Sequence, residues 1–173
     1  MVNERALLAA MKDAWKGKGY IVAHRNGSYL IGGDGWTLLC AEKLLPRKAL
    51  ALLVEHIGAI PEGECLNVSK KAGIQTAIAA VQEESFRKTE QRKQEIAAPT
   101  RLTFDGYRVW QGESLRVLLM AEDLTGILVL PEGGSSRSFE DGILLDAGAD
   151  RLIVLKRETP PEAEYLEVVQ WAG

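Results

Sequence analysis

Residues 20–41 read YIVAHRNGSYLIGGDGWTLLCA. Three β-branched, aromatic and apolar runs, 20–24, 28–32 and 36–41, are broken by Arg25-Asn26-Gly27 and Gly33-Asp34-Gly35. Asn-Gly and Asp-Gly suit tight hairpin turns, whose central positions take positive φ. The stretch therefore predicts a three-stranded antiparallel meander. A phosphate-holding glycine loop is the competing reading. It requires G-x-G-x-x-G opening onto a helix, or a loop ending in Gly-Lys-Ser/Thr. Here Gly35 leads into Trp36-Thr37-Leu38, a strand pattern without a helix dipole, and Asp34 repels phosphate. The glycines read as a bend, and the chain loses its best nucleotide motif.

Working outward, Leu7, Leu8, Met11, Ala14 and Trp15 form one apolar stripe behind Asn3, a good N-cap, and Lys16-Gly17-Lys18-Gly19 ends that helix. After the meander, Pro46 opens a second helix with Leu45, Ala49, Leu52, Leu53 and His56 on one face, closed by Gly58. CLNVS (65–69) reads as a strand. Ile74, Ala77, Ile78 and Val81 at helical spacing predict the longest helix over 73–97, stopped by Pro99. Its second half offers only Phe86 to a core, with Glu83–Arg87 and Glu84–Lys88 spaced for support along an exposed helix. Beyond it, 101–105, 107–111, 115–121, 126–131, 142–146, 151–156 and 165–171 are strand-like, although 115–124 also suits a helix. PEGGSSRSFEDG (131–142) reads as a flexible loop, and no repeat of fixed period emerges.

The expected fold is α+β: an N-terminal helix and β-meander with helices, a long charged bridging helix, then a β-rich C-terminal lobe. The boundaries fall at 1–82 for the N-terminal lobe, 83–99 for the bridging part and 100–173 for the acidic lobe. At 173 residues and 46% hydrophobic content the chain can bury a core. No apolar run is long enough for a transmembrane helix, and MVNERALLAAMKDAW lacks a signal-peptide layout, so the expectation is a cytoplasmic protein. The net charge of −3 hides an asymmetry: residues 1–121 carry +4 and residues 122–173 carry −7. An acidic end repels nucleic acid and favours a partner with a basic surface.

Candidate chemistry is sparse. Two histidines, His24 and His56, and two cysteines, Cys40 and Cys65, show no ligand spacing, so no metal or cofactor is expected. Acids at Glu122-Asp123, Glu140-Asp141, Asp146 and Asp150 stand at turns, where carboxylates are ordinarily solvated. A basic cluster, Arg87, Lys88, Arg92 and Lys93, is matched by Glu83, Glu84, Glu90 and Glu95. A phosphate-tracking surface wants one sign of charge.

The segment LPRKALALLVEHIGAIPEGE (45–64), with the hairpins before it, resembles small uncharacterised accessory proteins of phages and mobile elements of Clostridia-type bacteria. The resemblance covers residues 20–70 and contains no catalytic motif. It implies a protein that binds and blocks a host machine, inhibitors of CRISPR nucleases being one such group.

The leading expectation is a non-enzymatic protein-binding module that inhibits a host nucleic-acid-processing protein. Its contact residues would be Phe86, Arg87, Lys88, Arg92 and Lys93 on the helix, and Glu140, Asp141, Asp146, Asp150 and Glu162 on the acidic lobe. One alternative is a nucleic-acid-binding protein using the basic two-thirds. Another is a hydrolase using carboxylates or Cys40. A dimer through the long helix is a further open arrangement.

Overall fold

β1 (Tyr20–Arg25), β2 (Ser28–Gly33) and β3 (Trp36–Ala41) form the meander in antiparallel register. Asn26 and Gly27 turn the first hairpin at φ 52° and 66°. Gly35 turns the second at φ 78°, and Gly33 lets the Trp36 indole lie flat on the backbone: a Cβ there would stand 2.6 Å from the ring nitrogen. The computed structural model describes residues 1–60 and 62–156. The strand-like run 165–171 and Glu162 lie outside the described residues.

Helix α1 (Glu4–Lys16) begins where the Asn3 side chain accepts the Ala6 N–H at 3.3 Å. Helix α2 (Arg47–Ile57) follows Pro46 and stops at Gly58, φ 74°. β4 (Cys65–Ser69) pairs with β1, and β5 (Gly73–Ala77) pairs with β4.

The long bridging helix does not exist, and the α+β arrangement built around it is overturned. Residues 73–97 divide into β5, a helix α3 (Ala79–Glu90) and the start of β6 (Glu95–Phe104). Gly73 at φ 68° closes the β4–β5 turn, and Ile74 and Thr76 are β-branched residues of a strand. Pro99 ends no helix. It sits inside β6 where the register to the next strand shifts, the kind of position a sheet allows proline. Of the expected ion pairs along α3, Glu84–Lys88 forms at 3.9 Å, while Glu83 reaches Arg25 instead.

β7 (Tyr107–Gly112), β8 (Val117–Ala121), helix α4 (Glu122–Thr125), β9 (Ser135–Phe139), β10 (Gly142–Asp146) and β11 (Arg151–Leu155) complete the described chain. The supposed flexible loop 131–142 therefore contains a strand. The strand expected over 126–131 shrinks to one bridge, Val2 with Leu128. Among the described residues eleven strands form one antiparallel sheet in the order β5-β4-β1-β2-β3-β11-β10-β9-β6-β7-β8.

Alternating residues sort to the two faces. On the inner face Val22, Ile31, Leu38, Ile143, Leu152 and Val154 pack with Leu7 and Met11 of α1, Leu53 of α2 and Leu124 of α4. On the outer face Ala23, Leu30, Leu144 and Ile153 pack with Ala79 and Phe86 of α3. Among the described residues three α-helices thus fill one side of the sheet, and one lies across the other.

The strand order contains the same unit twice. β5-β4-β1-β2-β3 and β10-β9-β6-β7-β8 share connectivity: a meander, a helix, then a hairpin returning beside the first strand. The sequence echoes it. LLCAEKL (38–44) matches LLMAEDL (118–124), IPEG (60–63) matches LPEG (130–133), and Asn26-Gly27 matches Asp105-Gly106, φ 45° and 80°. The helix differs, with eleven residues in α2 and four in α4.

Where the first unit turns its second hairpin on Gly35, the second unit uses Leu115 at φ 63°. A Cβ in this region costs about 1–2 kcal/mol. Leu115 is exposed, so its side chain recovers little of that. Leu115→Gly is expected to raise the unfolding free energy by about 0.5–1 kcal/mol after the added entropy of the unfolded glycine. A higher urea midpoint at unchanged slope is the readout, and a lower midpoint contradicts it.

Candidate binding surface

Among the described residues, the two charged surfaces singled out in the sequence meet at one ion pair. Arg92 reaches Asp141 at 2.6 Å, and its guanidinium lies over the Phe139 ring, 5.5 Å from the centroid. Arg151 reaches Glu90 at 2.5 Å and lies 5.8 Å from the centroid of Phe86. Burial outweighs that guanidinium and holds the Glu90 carboxyl above its ordinary value. Arg87 pairs with Glu84, which also faces Lys88. Phe86 itself is committed to the outer core. Half-exposed pairs contribute at most about 1 kcal/mol each; the Glu90–Arg151 and Arg92–Asp141 pairs tie the end of α3 to the sheet.

The remaining acidic candidates have separate places. Asp146 accepts the Gly148 N–H at 2.8 Å and caps the β10–β11 turn. Asp150 is 4% exposed, with one carboxylate oxygen lacking a hydrogen-bond partner among the described residues. Glu140 and Lys93 are exposed.

Cys40 lies beside Asp150, and both burial and that carboxylate push its thiol well above the ordinary value. A nucleophile needs the reverse, a neighbour that stabilises thiolate. The histidines are engaged elsewhere. His56 stacks on Trp15, 4.1 Å between centroids, and its Nδ1 lies 2.9 Å from the Tyr20 hydroxyl. His24 stacks on Tyr29, with Nε2 facing Glu62 at 3.2 Å and Glu42 at 3.4 Å. Among the described residues no group of three or more His, Cys, Asp or Glu is placed to hold a metal ion.

Two depressions mark the inner side. The larger, about 750 Å³, runs along the alanine stripe of α1, Ala6, Ala10 and Ala14, between Asp13, Asp34 and Trp36. The Gly33–Gly35 turn forms one end of it, with Asp34 paired to Lys18 at 2.9 Å. The second, about 390 Å³, has a richer apolar wall of Pro99, Trp110, Leu128, Val129, Leu130 and Leu145. Arg108 and Glu122, paired at 2.7 Å, stand at its side. Val129 is 55% exposed, and the buried Trp110 Nε1–H has no partner among the described residues. A buried unpaired donor costs about 1–3 kcal/mol.

This second groove lies beside the connection that is short in the second unit. α2 commits Ala49, Leu52 and Leu53 to the inner core of the first unit, whereas α4 buries only Leu124. Sequence reading missed the groove because Trp110 and Leu145 lie on strands far apart in the chain. The signal that could have found it was the LLCAEKL/LLMAEDL echo, after which only one copy continues into a long amphipathic helix.

No protein-family model matches the chain, and neither does any curated protein. Among solved structures it is similar to the DNA polymerase III subunit beta DnaN sliding clamp from Bartonella birtlesii LL-WM9. Identity is 8% and the TM-score 0.36, over 95% of this chain and 66% of the length of that one. Among the described residues no helix is long and apolar enough to cross a membrane.

Two outcomes follow from the buried groups. Cys40 and Cys65 are fully buried and unpaired, so a thiol reagent is expected to label neither in the native protein and both in denaturant. Rapid labelling of the native protein contradicts this burial. His56 is held below its ordinary value of 6.5, chiefly by burial. As pH falls the unfolded chain takes the proton first, so the contribution of His56 is complete above 6.5 and is lost as pH falls through 6.5 towards the folded value. His56→Gln is expected to flatten stability against pH in that window, measured by urea denaturation at stepped pH. An unchanged slope would remove His56 as its source.

Proposed function

We propose that the chain is a protein-binding module whose contact surface is the groove of Pro99, Trp110, Val129, Leu130 and Leu145. One observation carries the reading: the second unit presents an apolar groove, with Val129 exposed, beside the connection where the first unit has its helix α2. The occupant is a short amphipathic helix of a partner protein. It would lay leucine-like side chains against Val129 and Leu130, as α2 lays its own against the inner core. Helix-in-groove recognition of this kind uses anchors at i, i+3 or i+4 and i+7. The resemblance of residues 20–70 to accessory proteins of phages and mobile elements supports a partner among host nucleic-acid-processing proteins, such as a CRISPR nuclease. The pairing of Arg87 and Arg92 with Glu84 and Asp141 favours this reading over a nucleic-acid surface, which needs unpaired cations.

The test is a displayed random-peptide library panned against the wild-type protein and Val129→Asp. The wild type is expected to enrich sequences with apolar residues at helical spacing. The variant, changed at an exposed position, is expected to keep its melting temperature and lose the enriched peptides by at least about tenfold, the scale of one buried apolar anchor. Equal enrichment on both proteins, or none on the wild type, overturns the groove as the contact surface.

A further inference from the structure

β5 ends the sheet, and its outer edge is unpaired among the described residues. Sheet edges in soluble proteins are ordinarily blunted by charged side chains, proline, bulges or a covering element. Gly73-Ile74-Gln75-Thr76-Ala77 has no charge and no proline, and it pairs with β4 in unbroken register over all five positions. The opposite edge differs, since β8 is buried at four of its five residues. Around β5 the apolar side chains are exposed: Ile74 at 50%, Ile78 at 67% and Val81 at 56%. α3 leaves this edge for the outer face, where it contacts β1, and so does not cover it.

We infer that the occupant of this edge is a second copy of the chain, its β5 pairing antiparallel about a two-fold axis through Gln75. The register is self-complementary. Ile74 falls opposite Thr76 of the copy, and Gly73 opposite Ala77. Charge selects this orientation. The β4–β5 turn carries exposed Lys70 and Lys71, while the other end of β5 adjoins exposed Glu64, one residue before β4; Glu83 and Glu84 on α3 are already paired, to Arg25 and to Arg87 and Lys88. Antiparallel pairing brings each basic turn towards Glu64 of the other copy, twice by symmetry. A parallel arrangement would set lysines against lysines. Ile78 and Val81 then gain cover beside the incoming turn. The pairing joins two eleven-stranded sheets into one and closes on itself, so assembly stops at the dimer. Edges of five residues make a small interface, which gives a reversible, concentration-dependent dimer. The long helix through which a dimer stood open in the sequence is absent, and β5 supplies the surface instead.

Sedimentation velocity from the micromolar to the millimolar range tests the proposal, together with Gln75→Cys. Facing residues of an antiparallel pair lie about 4.5–5.5 Å apart at Cα, inside the span a disulfide accepts. Under mild oxidation Gln75→Cys is expected to give a covalent dimer faster than the exposed control Gln91→Cys. Ile74→Lys and the double change Lys70→Glu/Lys71→Glu are each expected to raise the dimer dissociation constant by at least about tenfold, roughly the effect of like charges brought face to face. Circular dichroism of each variant should match the wild type. The proposal is overturned by a wild type that stays monomeric throughout, by open-ended oligomers, by a dimer insensitive to both charge changes, or by Gln75→Cys crosslinking no faster than Gln91→Cys.

Discussion

The pairing of β3 with β11 is the constraint on which the rest of the molecule depends. Trp36, Thr37, Leu38 and Leu39 lie opposite Val154, Ile153, Leu152 and Arg151, the seam along which the two units become one sheet. Leu38 and Leu152 face each other there, both fully buried, each contributing on the order of 2–3 kcal/mol. The seam also explains the inner helices. α1 packs over the first unit and touches α2 and α4 at once, which is possible only when both units present their inner faces to the same side. Arg151, fixed by the seam, is the residue that receives Glu90 and the Phe86 ring from α3. The outer layer is therefore positioned by the same strand pair as the inner one.

Much of the first unit was legible because its signals are local. Asn26-Gly27 can turn only one way, Asn3 and Gly58 bracket their helices, and alternating runs lie between unmistakable breaks. The stretch 73–97 was misread because an exposed edge strand has no burial alternation to announce it. Ile74, Ile78 and Val81 are exposed, so their helical spacing reflected no core-facing stripe. Gly73 was the discriminating residue, and its left-handed backbone meant a hairpin. The duplication escaped a search for a fixed period because a shorter helix after β8 and an irregular stretch inside β6 change the spacing between matching segments.

The candidate site was less legible for a different reason. Charges were counted along the chain, whereas their effect is decided across it. Arg92 and Asp141 are neighbours only because α3 ends against the β9–β10 turn. Asp150 resembled an ordinary turn acid in sequence, yet it is buried next to Cys40, where burial first and this carboxylate second hold the thiol above its ordinary value. The groove beside Trp110 depends on what the second unit lacks relative to the first. Neither composition nor spacing contains that comparison.

The seam has a kinetic consequence. β3 completes its own meander early in the chain, but the strand that covers its free edge comes over a hundred residues later. Local hairpins can form in microseconds, whereas a contact this distant bears the full entropy of closing the intervening loop. The rate-limiting event in folding should therefore be closure of β3 on β11, in a chain whose separate halves already hold their hairpins. During synthesis the first unit must wait on the ribosome with only the outer edge of Trp36 to Leu39 unpaired, an interval in which the solubility of a half-built sheet, more than its final stability, governs the yield of folded protein.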